Sequence, residues 1–241
     1  LGLIFSIVMT TLCLELIVSL PFFWWQKMLP GVLLLTIVGW LDDKHPVSPA
    51  LRLLVQFVVS FWLIGFGWWD LPWLEMVYWS CAVVAMVWMM NLYNFMDGSN
   101  GMAGFQGVFA GVTMAALFQF GGESSMALVA LSVAAGCTGF LPLNFPRARV
   151  FMGDASSVPL GFIFAAFAGY GVWTGSISLP LSILIMSVFL VDTTLTLLSR
   201  VLHGERWYTA HAQHVYQRLI AQGWSHQRVL VVYQALNVVL V

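Results

Sequence analysis

The chain has 241 residues, of which 61% are hydrophobic and 8% charged, with a formal net charge of −1 and a mean hydropathy of +0.91. Soluble domains carry about 25% charged residues, and a soluble fold of this size has too little interior to hide so much apolar surface. A soluble enzyme, a disordered chain, a disulfide scaffold and a nucleic-acid binder are therefore set aside, and long continuous apolar stretches argue against a membrane β-barrel. What remains is an all-α, polytopic transmembrane helix bundle, with the lipid bilayer as its first partner.

A membrane-crossing helix needs about 20 mostly apolar residues. Read on that basis, the chain holds nine segments: Leu3–Leu20, Phe22–Leu41, Leu51–Trp68, Trp73–Asn91, Met102–Phe120, Ser125–Leu143, Val158–Trp173, Ser178–Ser199 and Val229–Val241. Pro30-Gly31 is expected to shorten or kink the second. Cys13, Cys81 and Cys137 lie singly inside apolar stretches and read as small buried hydrophobes. The chain starts and stops within apolar runs, without an initiating methionine. One integral-membrane domain over residues 1–241, truncated at both ends, is the expected organisation.

The connections alternate in character. Those around residues 21–27, 67–72, 121–123 and 174–176 are short and bland. Those at 42–50, 94–101, 144–157 and 200–228 are rich in polar groups, and segment parity puts all four on one membrane face. Of the nine Lys and Arg, Lys27 alone falls on the bland side. Lys44, Arg52, Arg147, Arg149, Arg200, Arg206, Arg218 and Arg228 fall on or beside the rich side. Cations concentrate on cytoplasmic loops, so the rich face is expected to be cytoplasmic.

That face carries residues which simple connectors do not need. Asp42 and Asp43 end an apolar helix, where the helix dipole disfavours carboxylates, so a divalent cation such as Mg²⁺, or another positive ligand, is the natural compensation. Asn91, Asn94 and Asp97 recur every three residues and share a helix face, at a depth where an unpaired amide or carboxylate is costly. Ser99 or Asn100 is placed to cap the following helix. Arg147 and Arg149 are anion clamps. Asp154, before a helix, reads either as its N-cap or as part of a phosphate site at the helix N-terminus. His211 and His214 sit at i and i+3 beside several arginines, a pattern that fits a diphosphate or sugar better than zinc, since no Cys ligands are near. Asp192 is an intramembrane acid in line with Thr196 and Ser199, either facing the site or bonded to a neighbouring helix. Hard-cation ligands and anion clamps at one membrane face imply Mg²⁺-assisted phosphoryl chemistry between a lipid phosphate and a nucleotide derivative.

Four of these clusters resemble, in order, the motifs of one family. Gly39-Trp40-Leu41-Asp42-Asp43 followed by Ser48-Pro49-x-x-Arg52-Leu53 resembles its aspartate-pair motif. Asn91-x-x-Asn94-Phe95-Met96-Asp97-Gly98 resembles its second motif. Asn144-Phe145-Pro146-x-Ala148-x-Val150-Phe151-Met152-Gly153-Asp154 resembles its third, and His211-x-x-His214 its histidine motif. The family is the polytopic polyprenyl-phosphate N-acetylhexosamine-1-phosphate transferases (glycosyltransferase family 4). With Glu205-Arg206-Trp207-Tyr208 ahead of the histidines, the chain is more similar to the branch that initiates O-antigen or enterobacterial common antigen than to the phospho-N-acetylmuramoyl-pentapeptide transferases.

The resemblance implies transfer of a sugar-1-phosphate from a UDP-N-acetylhexosamine to undecaprenyl phosphate in a bacterial inner membrane, releasing UMP, with Mg²⁺, or Mn²⁺ in its place, and a homodimer as an expected assembly. It implies Asp154 as direct metal ligand, and Asp42 and Asp43 as organisers of the metal or lipid phosphate, with Asp42 a candidate base. Asp97 would contact the nucleotide or assist catalysis. Asn91, Asn94, Asn144, Arg147, Arg149, Arg206, His211 and His214 would bind substrate. The chain departs from the pattern at Asn100, where the family's second motif carries a further aspartate. The competing classes are a secondary transporter, which would place its polar site near the midplane within internal repeats, and an inactive membrane scaffold.

Overall fold

In the computed structural model, residues 1–65, 73–205 and 213–241 are described, Leu74 by its backbone alone. Among the described residues there are helices and turns and no strand. The order is α1 (Gly2–Glu15), a wide-turned segment (Phe23–Met28) running into α2 (Leu29–Lys44), α3 (Pro49–Ile64), α4 (Trp73–Phe95), α5 (Met102–Phe120), α6 (Ser124–Asn144), α7 (Asp154–Thr174), α8 (Leu179–Ile185), α9 (Ser187–Leu202), α10 (Val215–Ala221) and α11 (His226–Leu240). Four of them, α4 to α7, are long and apolar enough to cross a membrane, and α8 with α9 makes a fifth if the bent pair is one span. The protein is a multi-pass membrane protein of the all-α class.

α7 is the most enclosed of the four spans, and glycine lets its neighbours approach it. A methyl group on Gly39 of α2 would stand 2.5 Å from the Asp154 carbonyl, and one on Gly161 of α7 would stand 2.6 Å from the Met89 carbonyl of α4. Where lipid is as apolar as the helices, such small residues let helix backbones pack closely. α2 and α4 are thereby held against α7 on separate contacts, with the polar end of each helix at the same end of the bundle. α5 and α6 form a second close pair, with Gly107 against Cys137 and Gly111 against Ala134.

Several sequence boundaries are corrected. The first segment stops as helix at Glu15, not Leu20, because the Glu15 carboxylate turns the chain by accepting from Leu20 N and Trp25 Nε1, each at 2.8 Å. The third ends at Ile64, followed by Gly65 at φ +94°, and its expected tail toward Trp68 lies outside the described residues. The seventh begins at Asp154 rather than Val158. Cys13 and Cys81 are exposed, and only Cys137 of the three is buried; an outward helix face in lipid is as apolar as an inward one.

The expected single span Ser178–Ser199 is two helices meeting at 76°. A broken helix in an apolar medium needs a partner for its freed carbonyls. Gln106 of α5 supplies it: its side-chain amide donates to the Ile185 carbonyl at 3.0 Å, and its own oxygen accepts from Asn237 of α11 at 2.6 Å. Both residues are fully buried. Gln106→Leu is expected to destabilise the protein by about 1–3 kcal/mol through the stranded partners, read as a lowered unfolding midpoint in detergent. An unchanged midpoint would show that the bend does not depend on Gln106.

Candidate active site

The site begins where α2 ends. Asp42 Oδ1 accepts from Val47 N at 2.7 Å, closing the turn into α3, which Ser48 caps and Pro49 starts. Asp42 Oδ2 accepts from Arg52 Nη1 at 2.8 Å. Asp43 crosses to α7, where Oδ1 accepts from Asp154 N at 3.0 Å and Oδ2 from Ala155 N at 3.3 Å. The carboxylate that α2's own dipole disfavours is thus placed at the positive end of another helix. Gly153, at φ +65°, makes that approach feasible, since a Cβ there would lie 2.7 Å from Asp43 Oδ2.

The triplet of polar residues at the end of α4 reaches different neighbours. Asn91 Nδ2 donates to Gln56 Oε1 of α3 at 2.6 Å, and Asn94 Oδ1 accepts from Ser157 Oγ of α7 at 2.8 Å. Asp97, past the helix end, accepts from Gly153 N at 3.1 Å through Oδ2. Its Oδ1 is buried with no hydrogen-bond partner among the described residues. Burial pushes the Asp97 carboxyl up to about 7 against the backbone donors of Gly153 and Met152, and the nearby Asp154 and Asp43 push in the same direction.

The cap of α7 is therefore Asp43, not Asp154, which is the first helical residue. The free N–H groups expected to hold a phosphate at this terminus are occupied: Gly153 N by Asp97, Asp154 N and Ala155 N by Asp43, and the N–H groups of Ser156 and Ser157 by the Gly153 carbonyl. The Asp154 side chain is left to face Arg52, whose Nη1 donates to its Oδ2 at 3.0 Å. One arginine nitrogen thus joins Asp42 to Asp154.

The Asn144 amide is engaged on both sides, accepting from Gly101 N at 2.7 Å and donating to the Val150 carbonyl at 2.8 Å. No side chain caps α5; its first N–H, of Met102, is met by the Ser99 backbone carbonyl at 3.1 Å, while the Asn144 side chain holds Gly101 just before the helix. Ser99 Oγ instead lies 2.9 Å from His226 Nδ1, and Asn100 donates to the Pro146 carbonyl at 3.0 Å. Arg147 and Arg149 are exposed. Arg206 and His211 lie outside the described residues.

His214 is buried, with its ring stacked against those of Phe95 and Tyr216. Its Nδ1 is 3.6 Å from Asp192. Asp192 also accepts from Val215 N at 2.8 Å, Tyr216 N at 3.3 Å and Tyr233 Oη at 2.6 Å, and so caps α10 and ties it to α11. Tyr216 Oη donates to the Phe95 carbonyl at 3.0 Å. These contacts dock His214 and α10 on the turn that carries Asp97.

Arg52, Gln56 and Ser157 were not singled out as site residues from the sequence. Arg52 had a readable signal: a cation in the first turn of the helix that follows an acid pair. Gln56 lies one turn beyond it on the same face.

The profile of Glycosyl transferase family 4 matches residues 25–172, which include the aspartate pair, Arg52, Asp97 and Asp154. The chain belongs to this family. Among its relatives is a probable undecaprenyl-phosphate N-acetylglucosaminyl 1-phosphate transferase of Bacillus subtilis, 29% identical over 216 residues, covering 84% of this chain and 60% of the relative. A phospho-N-acetylmuramoyl-pentapeptide-transferase of Synechococcus elongatus is 37% identical over 158 residues, covering 54% and 42%. A decaprenyl-phosphate N-acetylglucosaminephosphotransferase of Mycobacterium tuberculosis is 30% identical over 163 residues, covering 59% and 40%. The chain thus spans 40% to 60% of the length of these family 4 relatives.

Proposed function

We propose that this family 4 protein transfers an N-acetylhexosamine-1-phosphate from a UDP-sugar to undecaprenyl phosphate, the first step in building a cell-envelope polysaccharide. The observation that carries this reading is the meeting of Asp42, Arg52, Asp97 and Asp154 at one end of a membrane bundle. Carboxylates and a guanidinium gathered at a membrane boundary suit a reaction between a lipid-borne phosphate and a soluble nucleotide. The surplus of Lys and Arg on this face favours the cytoplasmic side of an inner membrane, where UDP-sugars are available.

A divalent cation fits the residues present. Among the described residues no group of three His, Cys, Asp or Glu side chains is arranged to enclose a metal. Mg²⁺, however, commonly takes one or two carboxylates and completes its shell with water and substrate phosphates. Asp154 and Asp42 are the hard oxygen donors suited to hold it, and the unpartnered Asp97 Oδ1 marks unbalanced acceptor capacity beside them. When bound, the cation neutralises charge on the diphosphate. Asp43, with both oxygens on α7, keeps Asp154 in place rather than meeting substrate. Asp97 fixes Gly153 at the start of α7 and is placed to contact the nucleotide or assist catalysis. Arg147 and Arg149 are open to solvent and suited to the donor diphosphate.

The lipid phosphate is largely ionised at neutral pH, as phosphate monoesters with a second pKa of about 6 are. It therefore needs no strong base. One of its oxygens attacks the sugar-bearing phosphorus, the bond from that phosphorus to the bridging oxygen breaks, and UMP leaves with that oxygen.

The test uses membranes bearing the full protein, undecaprenyl phosphate, Mg²⁺ and a panel of UDP-N-acetylhexosamines together with UDP-N-acetylmuramoyl-pentapeptide. UMP release that requires the lipid phosphate is expected with one donor, which names the sugar. Folded protein that releases no UMP with any donor would overturn the proposal.

A further inference from the structure

Arginine usually meets a carboxylate with two parallel N–H groups from its planar fork. Arg52 does something else. A single nitrogen, Nη1, stands 2.8 Å from Asp42 Oδ2 and 3.0 Å from Asp154 Oδ2, bridging two carboxylates from two helices as a point charge would. These two side chains are 15% and 19% exposed, whereas that of Arg52 is 35% exposed. The cation therefore lies on the open side of the pair and can leave without unpacking the bundle. α3 is held independently, by the Ser48 cap and by Gln56 on Asn91.

We propose that Arg52 is a displaceable counter-ion. It neutralises Asp42 and Asp154 while no divalent cation is bound. A divalent cation held by Asp42 and Asp154 would compete with Arg52 for their negative charge and free its guanidinium for the phosphate that reacts there. The inference rests on the cation reading above and adds to it a competition within the protein. Two carboxylates left unbalanced at a membrane boundary would repel one another, so a resident positive charge keeps the empty site assembled. The same charge weakens the first binding event and becomes a phosphate ligand in the second. Cation and phosphate would then each raise the other's affinity by the same factor.

The experiment is a Mn²⁺ titration of the purified protein in detergent without substrate, with bound metal read by electron paramagnetic resonance. Wild type, Arg52→Gln, Arg52→Lys and Asp154→Asn are compared. Arg52→Gln removes the competitor and is expected to bind Mn²⁺ about tenfold more tightly, as for loss of one charge-assisted contact. Arg52→Lys keeps the charge and guards against misfolding of the Gln variant. Its ammonium is more strongly hydrated and cannot reproduce the planar fork, so about threefold tighter binding is expected. Equal or weaker binding in a folded Arg52 variant, with wild-type binding lost in Asp154→Asn, would overturn the counter-ion role and leave the proposed activity standing. If no protein shows Mn²⁺ binding that depends on Asp154, the cation reading fails as well.

Discussion

Asp154→Asn is expected to lower UMP release by a factor on the order of 10³, comparable to deleting one strong electrostatic contact to a reacting group. The size follows from what the substitution leaves intact. Asparagine keeps an oxygen able to accept from Arg52, and α7 stays capped because Asp43 bonds to the backbone at 154 and 155, not to the side chain. The helix crossing at Gly39 is likewise a backbone contact. What disappears is one negative charge at the place where a hard cation and a diphosphate would meet. The thermal midpoint should therefore hardly move while turnover collapses. Steady-state UMP release beside an unfolding curve separates the two. A folded Asp154→Asn protein within tenfold of wild-type turnover would remove Asp154 from the role of metal ligand.

The same geometry shows which features could be read from the sequence. Hydropathy yields the all-α class and the four long spans α4 to α7, because a full crossing must be apolar for about 20 residues whatever it packs against; of the other five segments read from it, the first and third are helices of 14 and 16 residues. The polar clusters stand out for the complementary reason, that lipid tolerates no idle carboxylate or amide. Partners were not readable. Asp43 sits one residue from Asp42 yet serves a different helix, and only the close approach of α2 to α7 at Gly39 reveals it. The bend after Ile185 has no proline at the break; the carbonyl freed there is met by Gln106, which lies in another helix. Asn144 carries the same amide as Asn94, but its two sides close backbone turns. His214 fits the pattern of a ligand-binding histidine, and the structure stacks it against two aromatic rings. In each case residue type was sufficient to flag a position. Whether the group faces a ligand or another helix is decided by contacts distant in sequence.

Asp192 offers the sharpest test of that distinction, since the sequence left it between a site residue and an interhelical bond. Its carboxylate accepts from two backbone N–H groups at the start of α10 and from Tyr233 of α11, with His214 beside it. It is 4% exposed. Asp192→Leu would strand those donors in an apolar interior, each at about 1–3 kcal/mol, and a total loss of roughly 3–5 kcal/mol is expected, in the range for breaking a buried charged network. The loss should be local before it is global. α10 docks on the rest of the bundle chiefly through this carboxylate and through Tyr216 on the Phe95 carbonyl, whereas α4 and α7 are held by packing and by Asn94 on Ser157. Hydrogen exchange in detergent should therefore show the amides of α10 losing protection while those of α7 keep theirs. UMP release should fall because His214 and α10 no longer brace the turn bearing Asp97. Asp192→Asn keeps one acceptor oxygen and should lie between the two. If α10 stays protected in a folded Asp192→Leu protein, α10 is held by something other than this carboxylate, and Asp192 returns to candidacy as a residue that faces substrate.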